Sequence, residues 1–163
     1  MQTYIGIDPG KEGAVAVIYP DNSVELFDTP IDVVKKGKKH KTVYMPALMA
    51  NLIAAIKDKS NHNCCVYIEE VHAMKGQGVT SCFDFGTGYG LWLGIVAALM
   101  IPCIGFTPQR WKKEIMQGIS DKEAARLMAH KLFPNYSDKM ALKKHHGRAE
   151  ALLIAEYARR MGF

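Results

Sequence analysis

TYIGIDPGKEGAVAVIY, residues Thr3–Tyr19, decides how the rest of the chain is read. Tyr4–Ile7 is a short apolar run ending in a carboxylate, Asp8, and Pro9-Gly10 stops it at once. Gly13–Tyr19 resumes as a second β-rich segment with Val15, Val17 and Ile18. The pattern predicts a hairpin whose first strand carries one acid to its own end. With a side-chain period of two, Ile5 and Ile7 share one face, and Gly6 and Asp8 the other. An Asp beside Pro-Gly is either a turn residue bonding its own backbone or a metal-binding carboxylate on a rigid strand. The second reading needs other carboxylates that converge on it.

The rest of the 163 residues allows one domain with a sizeable core, spanning 1–163. A formal net charge of +5 suits a polyanionic partner without proving one. Cys64, Cys65, Cys82 and Cys103 form no CxxC and sit in apolar stretches. They read as reduced core residues of an intracellular, cytoplasmic protein rather than a zinc site or disulfide frame. A strand that starts almost at Met1 leaves no room for a signal peptide. Phe85–Thr107 carries no charge and is long enough to span a bilayer, but its scattered glycines and Pro102 argue for a buried helix running into a buried strand. No membrane span is expected.

Ser23–Phe27 reads as a third strand. Thr29–Thr42 reads as a loop bearing the basic run KKGKKHK, Lys35–Lys41, either a solvated tip or a phosphate-contacting arm. Pro46–Lys59 has a helical apolar face of Leu48, Leu52, Ile53 and Ile56. In Val66–Val71 a carboxylate pair ends a strand for the second time. Alternation sends Glu69 and Glu70 to opposite faces, so only one of them can join Asp8. A polar loop, His72–Val79, leads to a long helix over Ser81–Met100. Its FGTGYG run follows no strand and does not match GxGxxG, so its glycines read as close-packing positions and no nucleotide cofactor is expected. Cys103–Phe106 is a short strand. Gln109–Met116 is a helical turn with Trp111 packed and Arg110, Lys112 and Lys113 exposed. Ser120-Asp121-Lys122-Glu123 forms a capping box. The last helix runs over Gly147–Met161. Glu150 opens its apolar run, and His146 lies four residues earlier on the same face if the helix reaches back that far. Glu150 reads either as a helix N-terminal acid favoured by the macrodipole or as a buried carboxylate with a partner.

A βββαβαβα order puts the fourth strand parallel to and beside the first through a right-handed crossover. Asp8 and Glu69 then sit at one sheet edge, and the last helix can bring Glu150 over them. Clustered carboxylates repel unless cations neutralise them, and hard oxygen donors suit Mg²⁺ or Mn²⁺. GIDPG (Gly6–Gly10), IEEV (Ile68–Val71) and HHGRAEALLIAEY (His145–Tyr157), in this order over nearly the whole chain, resemble the RuvC-type Holliday junction resolvases. The phage and prophage members look most similar, within the ribonuclease H-like superfamily.

The resemblance implies a mixed five-stranded α/β sheet, three antiparallel strands followed by parallel ones, flanked by helices. It implies a metal-dependent endonuclease with two Mg²⁺ or Mn²⁺ ions that works as a homodimer on four-way junction DNA. Asp8, Glu69 and Glu150 match the catalytic acids. His146, in preference to His145, stands where relatives carry another Asp or a His. Lys112 and Lys122 fall where lysines flank the scissile phosphate. His72 matches a position that often carries a stacking aromatic, though a plain loop residue fits it as well. Lys35, Lys36, Lys38 and Lys39 would add phosphate contacts. An RNA-processing nuclease of the same superfamily, a non-catalytic junction-binding protein and an actin-like ATP-binding module are the rival readings. The Gly-rich helix is a candidate dimer contact or simply core.

Overall fold

The computed structural model describes residues 2–73, 76–117 and 121–162, and of Lys122 the backbone alone. β1 (Thr3–Asp8) pairs antiparallel with β2 (Ala14–Ile18), and β2 with β3 (Val24–Asp28). After a hairpin, β4 (Ile31–Lys36) and β5 (Lys39–Tyr44), and helix α1 (Pro46–Lys59), the chain returns as β6 (Cys64–Glu69) parallel to β1. Helix α2 (Val79–Ala98) leads to β7 (Cys103–Phe106), parallel to β6. The resulting sheet has the order β3-β2-β1-β6-β7. Helices α3 (Pro108–Met116) and α4 (Lys122–Leu132), two short 3₁₀ segments and α5 (His146–Met161) complete the chain.

Strand alternation divides the core. Ile5, Ile7, Val15, Val17, Val66 and Ile68 face α1 and α2, where Met49, Ile53, Ile56, Trp92 and Val96 meet them. Ala14, Ala16, Cys65 and Tyr67 face the other way, onto α5 with Trp111, Ile115, Ala125 and Ala129. Residues Ala149–Ala158 are all buried, so α5 is the centre of that layer. Two glycines allow its close approach. A Cβ on Gly6 would run into the Ala151 carbonyl oxygen, and one on Gly147 into the backbone of Glu12 and Gly13. The helix therefore lies tight on β1 and on the β1–β2 turn.

Several expectations need correction. Residues 29–42 are not a loop: Ile31, Val33, Val34, Thr42 and Val43 build a two-stranded ribbon that turns through Gly37 at φ +65°. The lysines masked its alternation. Helix α2 is not buried all round. Only Gly88, Trp92 and Val96 are enclosed, while Phe83 is 72% exposed. The charge-free stretch from Phe85 onward reflects small and aromatic residues, not burial. Gly88 packs closely, against Tyr44, but a Cβ on Gly86, Gly90 or Gly94 would meet open space. β7 is not wholly buried either: Cys103 is exposed and Cys82 half-buried, while Cys64 and Cys65 are in the core; all four are free thiols. On α1, Met49 rather than Leu48 turns inward. Ser120 lies outside the described residues; Asp121 precedes α4 without a side-chain cap bond. Among the described residues no helix is long and apolar enough to cross a membrane.

Candidate active site

Parallel register fixes the first two acids. Ile7 lies opposite Ile68, so Asp8 and Glu69 follow side by side at the ends of β1 and β6. Both fall on the face that carries Gly6 and Tyr67, the face covered by α5. Glu70 is turned away toward Gly105 and His72. Helix α5 begins at His146, one residue earlier than expected. Its first turns bring His146 and Glu150, four residues apart, to the same cleft. Asp8, Glu69, His146 and Glu150 all line this cleft of about 660 Å³, together with Glu12, Tyr44, Asp84 and Phe85.

The electrostatics follow from burial. Burial raises the Glu69 carboxyl above its usual range; the Trp111 N–H bond and Lys112 oppose this, and Glu150 adds to it. Trp111 Nε1 donates to Glu69 Oε2 at 2.7 Å. Lys112 Nζ stands 3.4 Å from Glu150 Oε1, in an ion pair that is largely enclosed. Lys112 is therefore not the exposed residue expected of it: α3 turns it inward beside Trp111, whose ring lies 5.1 Å from its Nζ. Burial first, then Asp84 and Asp8, push the Tyr44 phenol up to about 12. His146 Nε2 is 3.9 Å from Glu12 Oε2. His145 looks to the other side, where Leu142 N–H donates to its Nδ1, and burial followed by nearby Arg148 lowers its pKa.

The donors are hard oxygens with one imidazole, the chemistry that Mg²⁺ or Mn²⁺ accepts. Among the described residues no three His, Cys, Asp or Glu side chains are drawn together closely enough to hold an ion as they stand. Glu69 and Glu150 are instead engaged by Trp111 and Lys112.

The remaining predicted residues are spread more widely. Lys122 opens α4, and its side chain lies outside the described residues. Its neighbours Asp121 and Glu123 line a second cavity with Arg126, Lys143, Lys144 and His146, so that cavity adjoins the first. His72 is exposed beyond β6, 3.6 Å from Glu70, and does not line the cleft. Lys35, Lys36, Lys38 and Lys39 crowd the exposed tip of the β4–β5 ribbon. Its base, Tyr44, lines the cleft, and the Tyr44 hydroxyl donates to the Asp84 carbonyl. Sequence reasoning missed the contacts of Trp111, Glu12, Asp84 and Tyr44. For Trp111 a signal existed: a buried indole N–H usually finds an acceptor.

No family model matches the chain. The chloroplastic Holliday junction resolvase MOC1 of Chlamydomonas reinhardtii is 35% identical over 94 residues, 56% of this chain. The chain spans only about 10% of that relative's length. Thermus thermophilus RuvC in complex with a Holliday junction substrate superimposes with a TM-score of 0.61 at 17% identity, over 99% of this chain and 97% of the other. A second T. thermophilus RuvC structure gives 0.56 at 19% identity, again over 99% and 97%. The five-stranded order β3-β2-β1-β6-β7, with α5 lying across the acid-bearing ends of β1 and β6, is thus the ribonuclease H-like fold of RuvC.

Proposed function

We propose that this chain is a metal-dependent endonuclease that nicks opposed strands of four-way DNA junctions as a homodimer. One observation carries the reading. Acids from positions 8, 69 and 150, on two strands and a helix, meet His146 in one cleft of a RuvC fold. The similarity to a chloroplast protein named as a Holliday junction resolvase, and to a RuvC solved on a Holliday junction, supports the junction as substrate. A net charge of +5 suits it.

Asp8, Glu69, Glu150 and His146 would hold the divalent ions, Mg²⁺ or Mn²⁺, two per site. When bound, such a pair supplies a Lewis acid for the phosphoryl oxygens and lowers the pKa of water. The protein's own part is positional and electrostatic. β1 and β6 hold Asp8 and Glu69 on a rigid edge, and α5 fixes Glu150 and His146 above them. Lys112, now on Glu150, would be drawn to an incoming phosphate. Lys122 would offset charge on the leaving 3′-oxygen. The basic ribbon grips phosphates without reading bases, and His72, exposed beside Glu70, would meet exposed junction bases. Residues 1–163 act as one nuclease domain, and four thiols without a disulfide suit a reducing, cytoplasmic setting.

The test is a nicking assay on a four-way junction, a linear duplex and RNA, with and without Mg²⁺. Symmetric junction nicks that need the cation are expected. Asp8→Asn removes nicking and keeps junction binding, because binding rests mostly on basic groups. Full activity in that variant would refute the assignment. Cutting of RNA alone, or binding with no cutting in any cation, would replace the reading with a rival.

A further inference from the structure

Trp111 is fully buried, yet its one polar atom is not spent inside the core. The indole N–H points out of the α3 packing face and donates to Glu69 Oε2 at 2.7 Å. A flexible carboxylate at a strand end would otherwise sample several rotamers. An N–H on a ring locked among Ile115, Met116 and the sheet removes that freedom and occupies one of its two oxygens. The other oxygen is left for the cleft. Trp92 gives the contrast within the same chain: its equally buried Nε1 has no hydrogen-bond partner among the described residues. Bulk alone therefore does not account for an indole at position 111.

We propose that Trp111 is a positioning residue, holding Glu69 through its indole N–H in the orientation that receives a divalent ion. The inference rests on the metal-site reading above and adds to it a buried donor that never touches substrate. Partners of this kind, standing behind a ligand, typically change metal affinity or activity by about 10–100-fold when removed.

The test uses the full chain and Trp111→Phe, which keeps an aromatic ring and deletes the donor. Mn²⁺ binding is measured by titration calorimetry and nicking by single-turnover kinetics. Expected are Mn²⁺ affinity lowered about tenfold or more, slower nicking, and junction affinity in EDTA unchanged. A second readout does not need the variant to fold. Only two indole N–H resonances exist in the ¹⁵N-labelled chain, from Trp92 and Trp111. Mg²⁺ should move the Trp111 resonance and leave Trp92 in place, and Glu69→Gln should abolish that movement. Equal Mn²⁺ affinity in Trp111→Phe, or a Trp111 resonance indifferent to Mg²⁺ that the chain does bind, overturns the inference alone. Absence of any Mn²⁺ binding by the unaltered chain overturns the metal site and the inference with it.

Discussion

Asp28 receives both arms of Arg148, Nε at 2.6 Å and Nη2 at 2.7 Å, while Nη1 reaches the Lys139 carbonyl at 2.9 Å. Arg148 lies between His146 and Glu150, so this fork ties the first turn of α5 to the end of β3. The guanidinium holds the Asp28 carboxyl below its usual range. A depressed folded pKa means stability that is present above the ordinary Asp pKa and is lost as pH falls through that range toward the folded value. Asp28→Asn should therefore lower the melting point at pH 7. The cost is about 0.5–1 kcal/mol, since the pair is partly exposed. The gap from the unaltered chain should close as the pH drops through 4 and below; a gap that persists in acid would mean the pair acts by packing. Neither partner of this fork is marked in the sequence, because 120 positions separate them. Asp8 and Glu69 were legible, since alternation alone decides which face each occupies. Trp111 was legible as a packed indole, but nothing in the spacing tells which acid its N–H will find.

At the scale of elements, the β4–β5 ribbon and helix α5 behave in opposite ways. The ribbon sets Lys36 directly across from Lys39, and Lys35 across from His40. Like charges facing each other as Lys36 and Lys39 do cost a few tenths of a kcal/mol or more, a cost that a polyanion removes. Lys36→Glu with Lys39→Glu should weaken junction binding at all sequences and lower the slope of log K against log salt by about 2. Melting should change by less than about 0.5 kcal/mol, as expected for exposed positions. An unchanged salt slope would take the ribbon out of the interface. Helix α5 tolerates no such change. Gly6→Ala puts a methyl group against the Ala151 carbonyl. Overpacking of this kind costs about 1–3 kcal/mol, and relief requires α5 to lift, carrying Glu150 away from Asp8. Thermal melting and nicking should fall together; a stable, fully active variant would show the approach to be slack. The strands around the acids could be read because apolar alternation and turn residues agree there. The ribbon could not, because lysines at its tip look the same on a strand and in a loop. The enclosure of α2 was misread for a related reason: absence of charge does not distinguish a covered helix from one with an open apolar face.

For the whole molecule, that open face is the main unresolved cost. Gly86, Gly90 and Gly94 recur every four residues on α2, and nothing among the described residues needs their smallness. Each glycine in a helix interior forfeits about 1 kcal/mol relative to alanine. A second copy of the chain, approaching closely along this helix, would account for them and would hold two clefts for two opposed strands. Gly90→Arg should therefore leave the protomer as stable or more so, convert the proposed dimer to monomer in sedimentation, and uncouple the proposed paired nicks. A variant that remains dimeric would move the interface elsewhere. The crossover from β1 through α1 to β6 was legible as a rule of handedness, and it brought positions 8 and 69 together on paper. The detailed seat of α5 was not, because it depends on what is absent from Gly6 and Gly147, and missing atoms leave no periodic trace.

Since one helix supplies both the middle of a hydrophobic layer and two of the cleft's four candidate ligands, structural integrity and the proposed cutting activity would rise and fall as one property. A copy damaged by heat or a faulty codon would lose its cleft as its core loosened. For a chain proposed to cut DNA, failing into inertness rather than into indiscriminate cleavage is a safeguard that costs no extra residue.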